Sequence, residues 1–131
     1  VNMTVYSFDK EFAVETKKSV NIGGQVQTIN FTDNYIKKLN KAEIAVSGIL
    51  NDLPDDDGNM SAKEQAKLAD NVMDKLAKTA IDWLNKLLDG RGQELYNFYG
   101  HNTYALLNII TFLTGLSNDV IKDRKAANKS K

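Results

Sequence analysis

Apolar and polar residues alternate in two short stretches near the start of the chain. They are Phe12-Ala13-Val14-Glu15-Thr16-Lys17-Lys18-Ser19-Val20-Asn21-Ile22 and Gln25-Val26-Gln27-Thr28-Ile29-Asn30-Phe31, and a period of two is the signature of a half-buried strand. Gly23-Gly24 lies between them and supplies the positive φ angles of a two-residue turn. The pattern predicts a β-hairpin over 12–31 with Val20, Ile22, Val26 and Ile29 available for burial. Two strands alone are marginal in water, so the hairpin must lie on helices or add to a neighbouring edge.

After Thr32 the period becomes helical. Thr32 or Asp33 can cap a first helix in which Ile36, Leu39, Val46, Leu50 and Leu53 recur at near-helical steps until Pro54. Asp55-Asp56-Asp57-Gly58-Asn59 forms a linker, and Ser61-Ala62-Lys63-Glu64 has the spacing of a capping box. A second helix follows with the stripe Leu68, Ala69, Val72, Met73, Leu76, Ala80, Trp83, Leu84 and Leu87, closed by Gly90 in a left-handed cap. Glu94 to Tyr99 makes a brief third helix ended by Gly100. Asn102 or Thr103 caps a fourth, amphipathic in its later part and fraying from Ala126 to Lys131. The expected fold is therefore mainly α: about four helices over 33–125 with a small N-terminal hairpin, forming a single domain over 3–131. Val1-Asn2 before Met3 reads as a cloning remnant.

The fourth helix changes the picture most. Tyr104-Ala105-Leu106-Leu107-Asn108-Ile109-Ile110-Thr111-Phe112-Leu113-Thr114-Gly115-Leu116 is apolar on nearly every face, more than a small domain covers alone, so part of it is expected to meet another chain. The aromatic and aliphatic density from Trp83 through Leu116 points the same way. The expected partner surface runs along the outward sides of the second and fourth helices, with Trp83, Leu87, Leu88, Phe112 and Leu116 as anchors for a partner helix.

Charge and chemistry remove other classes. Seventeen basic and seventeen acidic residues balance, unlike a dedicated binder of nucleic acid or anionic membrane, and neutrality leaves little repulsion against self-association. Without cysteine there is no disulfide framework or thiolate site. The aspartate run fails as an EF-hand, because glycine at the sixth position would make Leu53 the first ligand. His101 is the single histidine and has no triad or zinc partners. Neither Gly23-Gly24 nor Gly90-Arg91-Gly92 has the spacing of a phosphate loop. The expectation is a non-enzymatic protein with no cofactor or metal. The apolar run between Asn102 and Asn118 is short for a bilayer and no secretory signal is evident, so a soluble, cytosolic protein is expected. The basic end, Lys122, Arg124, Lys125, Lys129 and Lys131, leaves a nucleic-acid-binding regulator as a rival, although the third helix carries no lysine or arginine to read bases.

The hairpin built on Phe12-Ala13-Val14 and Gly23-Gly24, the Thr32-Asp33-Asn34-Tyr35 helix entry, and Tyr96-Asn97-Phe98-Tyr99-Gly100 before an apolar last helix together give a resemblance. The chain from Met3 onward resembles the tail assembly chaperones of long-tailed phages, most closely those of lactococcal siphophages. That resemblance implies a viral non-structural protein, made in the host cell cytoplasm and absent from the mature virion, that forms homo-oligomers. It implies binding of the tape measure protein, a long, helical, aggregation-prone chain kept soluble until the tail tube polymerises around it. In many relatives a frameshifted longer form also recruits tail tube protein. A structural phage adaptor is the remaining alternative.

Overall fold

The computed structural model describes residues 4–5, 16–52 and 60–129, with side chains of the last helix described as far as Asp123. The order is β1 (Lys17–Ile22), β2 (Gln25–Asn30), α1 (Asp33–Asn51), α2 (Ala62–Leu87), α3 (Gly92–Phe98) and α4 (Thr103–Lys129). Among the described residues the fold is mainly helical, behind an N-terminal antiparallel hairpin. The expected strand portion around Phe12-Ala13-Val14, the helix stop at Leu53 and Pro54, and the aspartate linker lie outside the described residues.

β1 and β2 pair from Lys17 opposite Asn30 to Ile22 opposite Gln25. One face carries Val20, Ile22 and Ile29 into the core. The other is polar, with Ser19 and Thr28 hydroxyls 3.2 Å apart across the strands. Val26 belongs to this outer face, opposite Asn21, and is 75% exposed. The expectation that it is buried is thus corrected: Val26 and Ile29 are an odd number of residues apart, and in a strand such positions point to opposite faces.

Thr32 caps α1, its hydroxyl accepting from the Tyr35 amide at 3.2 Å. Ser61 caps α2 in the same way, accepting from Glu64 N–H at 3.1 Å. α2 buries Val72, Leu76, Ala80, Leu84 and Leu87, one face at steps of three and four. It stops at Leu87, because both Asp89 (φ 54°) and Gly90 (φ 85°) are left-handed; the Gly90 amide bonds back to the Asn85 carbonyl at 2.8 Å. Asn102 is the cap of α4, its Oδ1 accepting from Ala105 N–H at 3.4 Å. α4 continues through Lys129, past Ala126 where fraying is expected; Ala126 and Ala127 are strong helix formers, and the basic end suits the negative pole of the helix.

One hydrophobic cluster draws on all six elements, from Val20, Ile29 and Phe31 through Leu39, Leu84, Leu88 and Leu95 to Leu106, Leu113 and Val120. α4 runs through its middle. Leu106, Ile109, Ile110 and Leu113 are buried and Leu107 and Leu116 pack at the margin, so the fold itself covers most of the apolar run. The excess surface expected of this helix reduces to Tyr104 and Phe112. A second, smaller cluster of Ile49, Val72 and Leu76 joins the end of α1 to α2.

Candidate partner-binding groove

The groove begins with the way the hairpin tip is held. Gly23 and Gly24 have φ of 64° and 76°, and the Gly23 amide donates to Tyr99 Oη at 3.0 Å. No side chain fits at Gly23: a Cβ there would lie 2.5 Å from Leu95 Cδ2 and 2.9 Å from Arg91 Nη2. Arg91 reaches from the start of α3 with all three guanidinium nitrogens engaged. Nη2 donates to the Ile22 carbonyl at 2.8 Å, Nη1 to Gln27 Oε1 at 2.9 Å, and Nε to Glu94 Oε2 at 2.9 Å. α3 is in turn pressed against α2 at Gly92, whose amide donates to Asn85 Oδ1 at 2.7 Å and whose Cβ position is occupied by the Ile81 carbonyl. Lys18 and Asp123, 4.0 Å apart, add an ion pair between hairpin and α4.

This clamping leaves a depression of about 380 Å³ between β1, the end of α3 and α4, lined by Asn21, Ile22, Tyr99, Ala105, Asn108, Ile109 and Phe112. Ile22 and Ile109 are nearly inaccessible and form its floor, whereas Phe112 stands 48% exposed at its wall. Phe98, 58% exposed, packs edge-on against Tyr99 with ring centroids 4.9 Å apart, and exposed Tyr104 lies one helical turn before Asn108. The result is an apolar trough with an aromatic rim and two amide side chains. Such a lining recognises an apolar segment that also has backbone or polar groups to bond.

Of the five anchors expected from sequence, the structure places one here, Phe112. Leu87 and Leu88 are buried in the chain's own core, which corrects their assignment to an outward surface. The reason is local: α2 ends at Leu87, Leu88 leaves the helix at φ −129°, and so the helical wheel no longer governs where its side chain goes. Trp83 and Leu116 are half-buried and pack against the main cluster; the Trp83 ring carries Lys86 Nζ 4.3 Å from its centroid. Ile22, Tyr99 and Asn108 belong to the groove but not to the expected set. The aromatic segment before Gly100 was the visible signal for Tyr99, and the glycine turn bound to it was the missing half.

The remaining candidates have structural settings. His101 is left-handed (φ 61°), stacks on Tyr96 with centroids 4.7 Å apart, and pairs through Nε2 with Asn97 Oδ1 at 3.0 Å. Among the described residues, no three His, Asp or Glu side chains gather as a metal site. Tyr35 donates to the Leu87 carbonyl at 2.9 Å. Burial, and secondarily the Asp89 charge, hold its phenol well above the usual tyrosine range.

Thr103–Asp123, at 21 residues and a mean hydropathy of 1.3, is long and apolar enough to cross a membrane, contrary to the expectation drawn from Asn102 and Asn118. Within the fold, however, this helix supplies Leu106, Ile109, Ile110, Leu113 and Val120 to the main cluster. Moving it into lipid would dismantle that core. Comparison with protein-family models, curated proteins and solved structures gives no match, so the functional reading rests on the groove and on the resemblance described above.

Proposed function

We propose that this chain is a non-enzymatic assembly chaperone that takes an apolar helical segment of a tape measure protein into the groove between β1, Tyr99 and α4. One observation carries the reading: exposed Tyr99 and Phe112 rim a trough floored by Ile22 and Ile109. Aromatic side chains left in water around a concave apolar floor are what an amphipathic helix uses as a dock, inserting residues spaced three and four apart. The resemblance to phage tail assembly chaperones supplies the partner's class. Holding successive segments would keep the tape measure protein soluble in the host cytoplasm until the tube forms, with the chaperone left out of the virion.

The test is calorimetric titration of the full chain with a helical tape measure peptide bearing apolar residues at i and i+4. Phe112→Ala is expected to cost about 2 kcal/mol, close to thirtyfold in affinity, while its helical content stays that of the parent. Raising salt from low to physiological should leave the affinity nearly unchanged, because the contact is apolar. Full affinity in a folded Phe112→Ala variant would remove the groove from the mechanism. A collapse of binding with salt would transfer it to the basic end of α4.

A further inference from the structure

The outward face of α1 takes no part in the capture groove. The groove uses Ala105, Asn108 and Phe112 of α4, whereas Leu107 and Thr111 lie against α1. Along α1, Asn40, Ile44, Ser47, Gly48 and Asn51 recur at steps of three and four, so they share one face. They line a shallow depression with Glu43. Ile44 projects from this face with 72% of its surface exposed, and one turn away the space a Cβ would take at Gly48 has no atom within 4 Å. A knob and an empty hole therefore sit side by side. The charges of the same face are mixed: exposed Asp33 stands at its start, exposed Lys37 and Lys41 follow in its first half, half-buried Glu43 sits at its edge, and exposed Asp52 lies at its end.

We propose that α1 pairs antiparallel with α1 of a second copy of this chain, about a two-fold axis at the level of Val46. In this register Ile44 of each copy lies level with Gly48 of the other, and Asn40 lies level with Asp52. Lys37 and Lys41 then fall about 4.5 Å and 1.5 Å along the axis from the level of the opposing Asp52, on either side of it, within reach of an ion pair. A two-fold interface must be self-complementary, each patch meeting its own copy. The α1 face meets that condition twice, in shape and in charge. A foreign partner would have no need of both the knob and its hole on one surface. The net charge of zero adds no general repulsion. One helix pair belongs to the small class of interfaces, below roughly 1,200 Å² in total, so the dimer is weak and reversible. It would display two capture grooves, but the pairing stands whether or not those grooves bind a tape measure protein.

Sedimentation of the full chain from micromolar to submillimolar concentration should show mass rising towards twice the monomer. Ile44→Asp should weaken this association at least tenfold without changing helical content, since the side chain is exposed in the monomer. Asp52→Lys should weaken it, as should Lys37→Glu with Lys41→Glu, and combining all three should restore it because the signs are merely exchanged. The chain's lack of cysteine allows a test of orientation. Ser47→Cys places its thiol beside the axis and should oxidise to a disulfide dimer. Lys37→Cys should not, because the two copies of that position lie about 27 Å apart along the axis, far beyond the roughly 7 Å that a disulfide can span between Cα atoms. A monomer at every concentration, association that survives Ile44→Asp, or equal crosslinking through both positions would overturn the proposal.

Discussion

The two ends of the helical body are held together by different means. At the hairpin end, fully buried Phe31, Leu88 and Leu95 are accompanied by bonds between residues far apart in the chain: Arg91 to Ile22 and Gln27, Tyr99 to Gly23, Tyr35 to Leu87. At the other end, Ile49, Val72 and Leu76 pack with Val46, Leu50 and Leu107 at their edge, and the Ser61 cap is a bond within one helix. Apolar contact alone brings elements together but tolerates sliding, whereas a guanidinium held at three points fixes an orientation. The groove is built at the end where orientation is fixed.

The largest effect should come from core truncation at each end. Leu88→Ala and Leu76→Ala both remove a fully buried leucine, a change that costs about 2 to 5 kcal/mol. Leu88 belongs to the large cluster and should fall near the upper limit, because its tied surroundings cannot close over the cavity. Leu76, in a small cluster packed by apolar contact between two helices, should fall near the lower. Denaturant titration measures both, and equal losses would erase the distinction between the ends.

Arg91→Ala comes next, at about 2 kcal/mol, the usual scale for hydrogen bonds to a charged group. Its effect should be confined. Amide exchange is expected to quicken in Lys17–Ile22 and Gln25–Asn30 while Val72 and Leu76 keep their protection. A uniform loss across both ends would show that Arg91 adds stability without orienting the hairpin.

The smallest effect concerns Tyr35. Tyr35→Phe removes one hydrogen bond, worth about 1 kcal/mol. Because burial raises the Tyr35 phenol above its ordinary value near 10, the folded chain holds that proton more tightly than the unfolded chain. Its contribution is complete below pH 10 and is lost as pH rises beyond that towards the folded value. The parent should therefore lose stability in this alkaline window more steeply than the Phe variant. Parallel curves would mean that Tyr35 ionises as freely in the folded chain as in the unfolded one.

Local pattern made the elements legible. Thr32, Ser61 and the glycine pairs mark the turns and caps because each acts on amides within a few residues. Faces were legible only where parity was respected: Val20 and Ile22 are two apart and share the core face, whereas Val26 and Ile29 are three apart and do not. Arg91 stands in a glycine-flanked break that looks flexible in sequence, yet its partners lie 64 and 69 residues away, and no short-range pattern encodes such a bond. The groove was half visible for the same reason. Phe112 stood out as surplus on an apolar helix, but Ile22 and Asn21 join it only through the docking of the glycine turn on Tyr99.

That docking sets an order of events during synthesis. The Gly23 amide finds its acceptor on Tyr99, 76 residues later, so the hairpin leaves the ribosome long before the surface that receives it has been made. At about 5 to 20 residues per second, several seconds pass with Val20, Ile22 and Ile29 lacking their helical cover, and a lone two-stranded hairpin does not hold itself together in water. The hairpin, translated ahead of the four helices that cover it, is therefore among the last of these elements to become native. Nascent chains arrested before Tyr99 should leave the hairpin open to protease, and release beyond α4 should close it.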